Sequence, residues 1–353
     1  MGVLRVWADV LTPKQVLFFN PVIEKLRESG CQVLLTSRKY REVEPMAQMV
    51  GLKMQYVGER GGKGKLEQLM AATERQGELI PIVNDFQPQV SFSLASGACA
   101  RISFGMGVKH IAVNDSPHSE VAGRLSIPFS HRLMCPWIIP YKDWAKFGIN
   151  KSRITRYRAL DPAAWLKRKP MNGPVPEVAA GKKTIVVRVE ESDAPYMAGS
   201  DENWTDEVLT GISHAFPDCN FVALCRYGHQ LDRIKRKYGT RFVVPDGVVD
   251  GRGLLAAADL FIGMGGTMTA EAALIGVPAI STFQGSYLVE DYLKSVGLLV
   301  KSDTIEGVVR TARRFLADSF KISYSKRSKN VLDAMEDPVP KIAGLILKTA
   351  GQG

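Results

Sequence analysis

Residues 257–280 read Ala-Ala-Asp-Leu-Phe-Ile-Gly-Met-Gly-Gly-Thr-Met-Thr-Ala-Glu-Ala-Ala-Leu-Ile-Gly-Val-Pro-Ala-Ile, and this order decides the fold. An apolar run ends in Gly263, Gly265 and Gly266, a helical stretch opens at Thr267, and a second apolar run follows Pro278. Strand, glycine turn, helix and strand in succession is the unit of a parallel α/β sheet. The glycines let backbone approach a ligand closely, and the free N–H groups of a helix start are a seat for phosphate oxygens. Thr267, Thr269 and Glu271 follow, with Glu271 one turn beyond Thr267 on the same face, where a carboxylate can accept hydrogen bonds from ribose hydroxyls. The plain alternative is a packing turn with Glu271 as a solvated helix residue. Met268 stands where the dinucleotide fingerprint needs its third glycine, and the chain has no Gly-x-x-x-x-Gly-Lys-Ser/Thr loop, which demotes NAD enzymes and ATPases.

The same alternation continues outward. The second half offers strands at 184–189, 221–224, 242–244, 259–262 and 279–281, separated by helical patterns such as 202–216 and 230–238. The first half offers strands at 4–8, 32–36, 54–57, 90–94 and 110–113. Between the first two of these, Val16, Phe19, Val22, Ile23 and Leu26 recur at helical spacing and stop at Gly30. The loop Gly61-Gly62-Lys63-Gly64 reads as mobile and leads into a helix from Lys65 to about Asn84. Prolines and glycines break every period between Asp161 and Lys183. The expected organisation is an N-terminal Rossmann-like, acceptor-side domain over 1–165, a linker over 166–182 and a nucleotide-sugar-binding Rossmann-like domain over 183–335. The segment 336–353, which reads as a helix from Pro338 to Ala350 with Ile342, Leu345 and Ile346 on one face, is expected to pack back on the first domain.

A chain of 353 residues with 45% apolar content fits two soluble domains, and no run of about eighteen apolar residues suggests a membrane span. No secretory signal is apparent at the N-terminus, and the five scattered cysteines read as reduced thiols, so the expected location is the cytoplasm. The net charge of +10 favours anionic partners. The basic stretch Lys151, Arg153, Arg156, Arg158, Lys167, Arg168 and Lys169, interleaved with Tyr157 and Trp165, suits peripheral contact with the inner membrane face and a lipid-linked acceptor. A solvated linker face explains it equally well. No nucleic-acid motif is present.

The run from Gly263 to Pro278 resembles the donor-site signature of GT-B nucleotide-sugar glycosyltransferases and of non-hydrolysing UDP-N-acetylglucosamine 2-epimerases. In those families the glycine turn and helix hold the diphosphate and the glutamate binds ribose. The chain is also similar to a prokaryotic family of unassigned function, known from archaea and bacteria and usually taken to be GT-B glycosyltransferases. That likeness rests on Trp7 to Pro13, Thr36-Ser37-Arg38, Gly62 to Leu66, Gly105 to Val108, Asn114-Asp115 and Arg188. It implies two Rossmann-like domains with parallel sheets facing a central cleft. It also implies a metal-independent transferase using a nucleoside diphosphate sugar, UDP-linked in the first instance, as co-substrate without a further cofactor. A nucleotide-sugar epimerase and a non-catalytic binding protein are the alternatives.

Further candidates follow from position. Arg188 ends a strand and either clamps a diphosphate or pairs with Glu190 or Glu191. Arg226, with Tyr227 and Gly228, follows the next strand, and Asp246 to Asp250 occupies the stretch where GT-B proteins hold the base. In the first half, Asp115 and His118 are candidates for the base that deprotonates an acceptor hydroxyl, with Glu120 close by. The alternative is that Asp115 caps a helix starting near Pro117 and His118 is merely exposed. Thr12, Pro13 and Lys14 after the first strand, and Ser96 and Gly97 after the fourth, complete the acceptor side. Ser96-Gly97-Ala98 stands where the 2-epimerases carry an acidic residue, a departure that weighs against epimerisation.

Overall fold

The computed structural model describes residues 2–62, 64–190 and 202–351, Glu202 by its backbone only, so Lys63, Glu191, Ser192 and Asp193 lie outside the described residues. The chain divides into two compact units, residues 1–168 with 336–353, and residues 169–335.

The first unit carries a seven-stranded parallel sheet. Its strands are β1 (Arg5–Asp9), β2 (Gln32–Lys39), β3 (Gln55–Glu59), β4 (Val90–Ser93), β5 (Lys109–Val113), β6 (Arg132–Pro136) and β7 (Ile154–Tyr157), in the order β3-β2-β1-β4-β5-β6-β7. The expected strands are present, while β6 and β7 were not foreseen, being short segments that carry charged or proline residues. The helices are α1 (Pro13–Glu28), α2 (Val43–Met49), α3 (Lys65–Phe86), α4 (Gly97–Gly105), α5 (Glu120–Ser126), α6 (Tyr141–Ala145) and α7 (Ala163–Leu166). Val16, Phe19, Val22, Ile23 and Leu26 of α1 are all buried, as their spacing predicts, each contributing roughly 1.5–3 kcal/mol of burial. Phe19 meets Phe92 of β4 edge-on at 5.0 Å. The order reverses between β1 and β4, so their following loops diverge and leave a crevice at the carboxyl ends, the usual ligand position in such sheets.

The second unit carries a five-stranded parallel sheet of β8 (Thr184–Arg188), β9 (Asn220–Leu224), β10 (Leu260–Gly263), β11 (Ala279–Ser281) and β12 (Val300–Lys301), ordered β12-β11-β10-β8-β9. Its helices are α8 (Glu202–Ala215), α9 (Gly228–Tyr238), α10 (Gly251–Ala256), α11 (Thr267–Ile275), α12 (Leu288–Ser295), α13 (Ile305–Phe315) and α14 (Asp318–Asp333). The strand expected at 242–244 is reduced to a single bridge between Val222 and Val243. A 3₁₀ turn over Gly239–Arg241 precedes it, and Pro245, which has no N–H to donate, stops it. Phe242 and Val244 still reach the core. Here the order reverses between β8 and β10, and Arg188 pairs in register with Gly263.

Helix α15 (Pro338–Ala350) is assigned to the first unit and packs on α1 and β4. Asp337 caps it by accepting from the Val339 N–H at 3.0 Å, and pairs with Arg168 at 2.9 Å. Part of the basic stretch before the linker is similarly occupied. Arg156 and Lys151 lie over the Tyr141 ring at 4.2 and 4.9 Å, Arg153 donates to carbonyls of Ser130 and His131, and Tyr157 and Trp165 are core residues. The aromatic interleaving is therefore internal packing. Among the described residues no helix is long and apolar enough to cross a membrane.

Candidate active site

At the end of β10 the chain turns through Gly265 and Gly266, with φ of +100° and +90°, a region that disfavours any residue with a side chain. Gly266 caps α11 without a side chain, so the cap supplies no oxygen to the first helical N–H groups. Gly263 is needed for a different reason. A Cβ there would fall 2.2 Å from Thr269 Oγ1, which is folded back against the turn, buried and without a hydrogen-bond partner among the described residues. Thr267 is half-buried at the rim.

Glu271 is 8% exposed, so it is not the solvated helix residue of the plain alternative. Its charge acts on Arg252 of α10, whose guanidinium is shifted down by burial while Asp250 and Glu271 pull it back up. Asp250, from the stretch expected near the base, caps α10 by accepting from the Arg252 and Gly253 N–H groups at 3.0 Å each. Asp246 pairs with Lys235 at 2.6 Å. Neither Arg252 nor its role beside Glu271 was legible in the sequence.

Arg188 leaves β8 beside the glycine turn, and its carbonyl accepts from the Met264 N–H at 3.1 Å. Its guanidinium has one hydrogen bond among the described residues, to the Cys225 carbonyl at 3.5 Å. Pairing with Glu190 is overturned: that carboxylate is buried, accepts from the Thr205 hydroxyl and faces Arg233 at 3.6 Å. The Arg226 and Tyr227 N–H groups donate to Gln230 Oε1, which organises the start of α9 at Gly228, and Tyr227 stacks on His229 at 5.5 Å. The loop after β11 was not foreseen. Phe283 lies 3.3 Å from where a Gly265 Cβ would stand and stacks on Tyr287 at 4.3 Å, while the Thr282 N–H donates to the Gly263 carbonyl at 2.9 Å.

In the first unit, Thr12 caps α1, its hydroxyl accepting from the Gln15 N–H at 3.4 Å, and Pro13 opens the helix. Lys14 turns inward and bridges two carboxylates, Asp115 at 2.5 Å and Asp161 at 2.9 Å, while the Tyr157 hydroxyl donates to Asp161 at 2.6 Å. Burial opposes ionisation of Asp115, but the Lys14 charge, with hydrogen bonds from Lys14 and Ser116, outweighs it and holds the carboxyl below its usual range. Burial and the Asp115 charge push Asp161 up to about 6. The Asp115 cap reading fails because α5 begins only at Glu120, after Ser119, and Asp115 is committed to Lys14 and Ser116. His118 is exposed, with its pKa lowered by partial burial and by Lys14 and Lys146 against the pull of Asp115. Glu120 pairs on its own helix with Arg124 at 2.7 Å. Asp161 and Tyr157 were missed because they lie in or beside the stretch read as linker.

Ser96 is buried and doubly occupied, capping α4 through the Cys99 N–H at 3.2 Å and donating to Asp9 Oδ2 at 2.6 Å. Gly97 allows close approach to Leu125, whose Cβ would stand 3.1 Å from an added Cβ. An acid does reach the end of β4, but from β1: Asp9 is fully buried, and Arg75 of α3 holds both its oxygens at 2.6 and 3.1 Å.

The family model described as "Protein of unknown function (DUF354)" matches residues 4–346, and the chain belongs to that family. An uncharacterised protein of Methanocaldococcus jannaschii is 25% identical over 325 residues, which is 87% of this chain and 90% of that protein. Among solved structures, the UDP-GlcNAc 2-epimerase of Methanocaldococcus jannaschii in complex with UDP-GlcNAc and UDP superposes with a TM-score of 0.71 at 14% identity, covering 99% of this chain and 100% of the other. The spinosyn forosaminyltransferase SpnP gives 0.64 at 14% identity, covering 98% and 100%. The glycosyltransferase VinC in complex with DTDP gives 0.63 at 16% identity, covering 99% and 100%. The fold is thus the α/β fold with two parallel sheets shared by GT-B glycosyltransferases and these epimerases.

Proposed function

We propose that this member of the DUF354 family is a GT-B-type glycosyltransferase that moves a sugar from a nucleoside diphosphate donor, UDP-linked in the first instance, to an acceptor hydroxyl. The observation that carries the reading is the start of α11, where Gly265 and Gly266 are held at positive φ, the cap has no side chain and Glu271 is buried one turn further on. As the sugar leaves, negative charge grows on the diphosphate. The positive end of α11 and the guanidinium of Arg188 suit that charge without a further cofactor. Thr267 and Thr269 add hydroxyls at the same turn, and Glu271 accepts from the ribose.

Of the two expected bases, His118 is the better. Its depressed pKa leaves the imidazole neutral near pH 7 and able to take a proton, whereas Asp115 is tied to Lys14. Ser96, buried and hydrogen-bonded where the 2-epimerases carry an acidic residue, supports transfer over isomerisation, and incubation with UDP-GlcNAc without acceptor checks this, since an epimerase yields a new isomer.

Calorimetric titration with UDP tests the donor site. Glu271→Gln is expected to weaken UDP binding about tenfold or more, because hydrogen bonds to a charged acceptor contribute about 1.5–3 kcal/mol. Unchanged affinity for UDP and for the other nucleoside diphosphates overturns the proposal.

A further inference from the structure

The pairing of β2 with β3 slips between Ser37 and Lys39, an irregularity that re-aims the side chain between them. That side chain is Arg38. Its guanidinium lies 5.9 Å from the Tyr40 ring, its Nε is buried without a hydrogen-bond partner, and among the described residues no carboxylate pairs with it. Arg60, directly after β3, stands on the other flank. It lies 5.3 Å from the same ring and donates to the Tyr40 hydroxyl at 3.2 Å, again without a carboxylate partner among the described residues. Arg75 completes the group. It reaches across the strand end because Gly58, at φ +66°, has no Cβ to meet it, and it is neutralised by Asp9. Three guanidinium groups against the one carboxylate of Asp9 leave two positive charges uncompensated at the carboxyl edge of a parallel sheet. Burial, Arg60 and Arg75 shift Arg38 toward losing its proton, and Asp9 and Tyr40 only partly oppose them.

We propose that this edge is an oxyanion subsite in which the guanidinium forks of Arg38 and Arg60, steadied by Tyr40, hold a phosphate group on a ligand of the first unit. Two forks and two spare charges match a phosphate dianion better than a carboxylate. These arginines belong to the first unit, whereas the glycine turn belongs to the second. That the subsite's ligand is the acceptor rests on the transfer reading, whereas phosphate binding does not.

Titration of the full chain with inorganic phosphate, followed by calorimetry or phosphorus NMR, is the test. Saturable binding is expected, weakened tenfold or more by Arg38→Gln and by Arg60→Gln, partly restored by Arg38→Lys, and unaffected by Glu271→Gln. The variants are also titrated with UDP. UDP binding without phosphate binding by the native chain, or phosphate affinity unchanged in both arginine variants, overturns the subsite and leaves the donor site standing. Phosphate binding without UDP binding by the native chain sinks the transfer reading and leaves the subsite. Sedimentation with phosphatidylcholine vesicles containing phosphatidic acid distinguishes the source of the phosphate. Arginine-dependent capture assigns a lipid-borne phosphate, and arginine-dependent binding of inorganic phosphate alone assigns a soluble one.

Discussion

Replacing Lys14 with methionine strips the counter-charge from two buried carboxylates and exposes their coupling to pH. In the native protein Asp115 is ionised and Asp161 titrates near 6, although its unfolded value is 3.8. Between these values the folded state binds a proton the unfolded chain has released, so stability falls as pH rises from about 4 to 6 and then levels off. Removing Lys14 removes the strongest influence lowering Asp161, and its folded pKa must climb above 6. The decline then continues into the range where the native protein is flat, at about 1.4 kcal/mol for each pH unit. The expected destabilisation is about 3–5 kcal/mol near pH 8, the usual result of leaving buried charge without its partner, and smaller by about 1.4 kcal/mol or more at pH 6. Urea unfolding followed by tryptophan fluorescence reads this well, because Trp7, Trp137, Trp144 and Trp165 lie in the first unit and only Trp204 in the second. Equal destabilisation at pH 6 and pH 8 refutes the coupling of Lys14 to the carboxylate pair.

Arg75→Met should destabilise the first unit by about 3–5 kcal/mol in the same assay, because it leaves Asp9 charged and buried, and Asp9→Asn in that background should recover part of the loss. Gly265→Ala forces a side chain into positive φ against Phe283, with a strain of about 1–3 kcal/mol. A lower melting temperature and weaker UDP binding in calorimetry are expected. His118→Gln is expected to lower kcat about 100-fold or more once an acceptor is found, with little change in melting temperature, and a kcat within twofold of native removes His118 as the base.

The glycine turn and α11 are legible in the sequence because their signals are local: glycines where backbone must bend, then a compact helical run. Helix α15 is read with its bounds intact, since Pro338 and the apolar face mark it directly. What escapes is assembled from distant parts of the chain. Lys14 and Asp161 meet only because β1 and the segment after β7 end at the same edge of the sheet, and no spacing records that. Asp161 sits among prolines and glycines that look like linker, yet it and α7 are packed into the first unit. Ser96 is read as facing a ligand because of its place after β4, whereas tertiary contact with Asp9 turns its hydroxyl inward. Thr36-Ser37-Arg38 marks the family likeness but says nothing of where Arg38 is aimed, because a slip in strand pairing is a property of two strands.

The first unit is discontinuous in the chain, since α15 joins it only after the whole second unit has been threaded. During synthesis the early residues therefore wait for residues 336–353 before the apolar side of α1 is covered, and the intervening unit can finish first. A ribosome-stalled chain ending near residue 335 should expose that side to chaperones and proteases, so quality control can recognise an incomplete molecule by one uncovered helix.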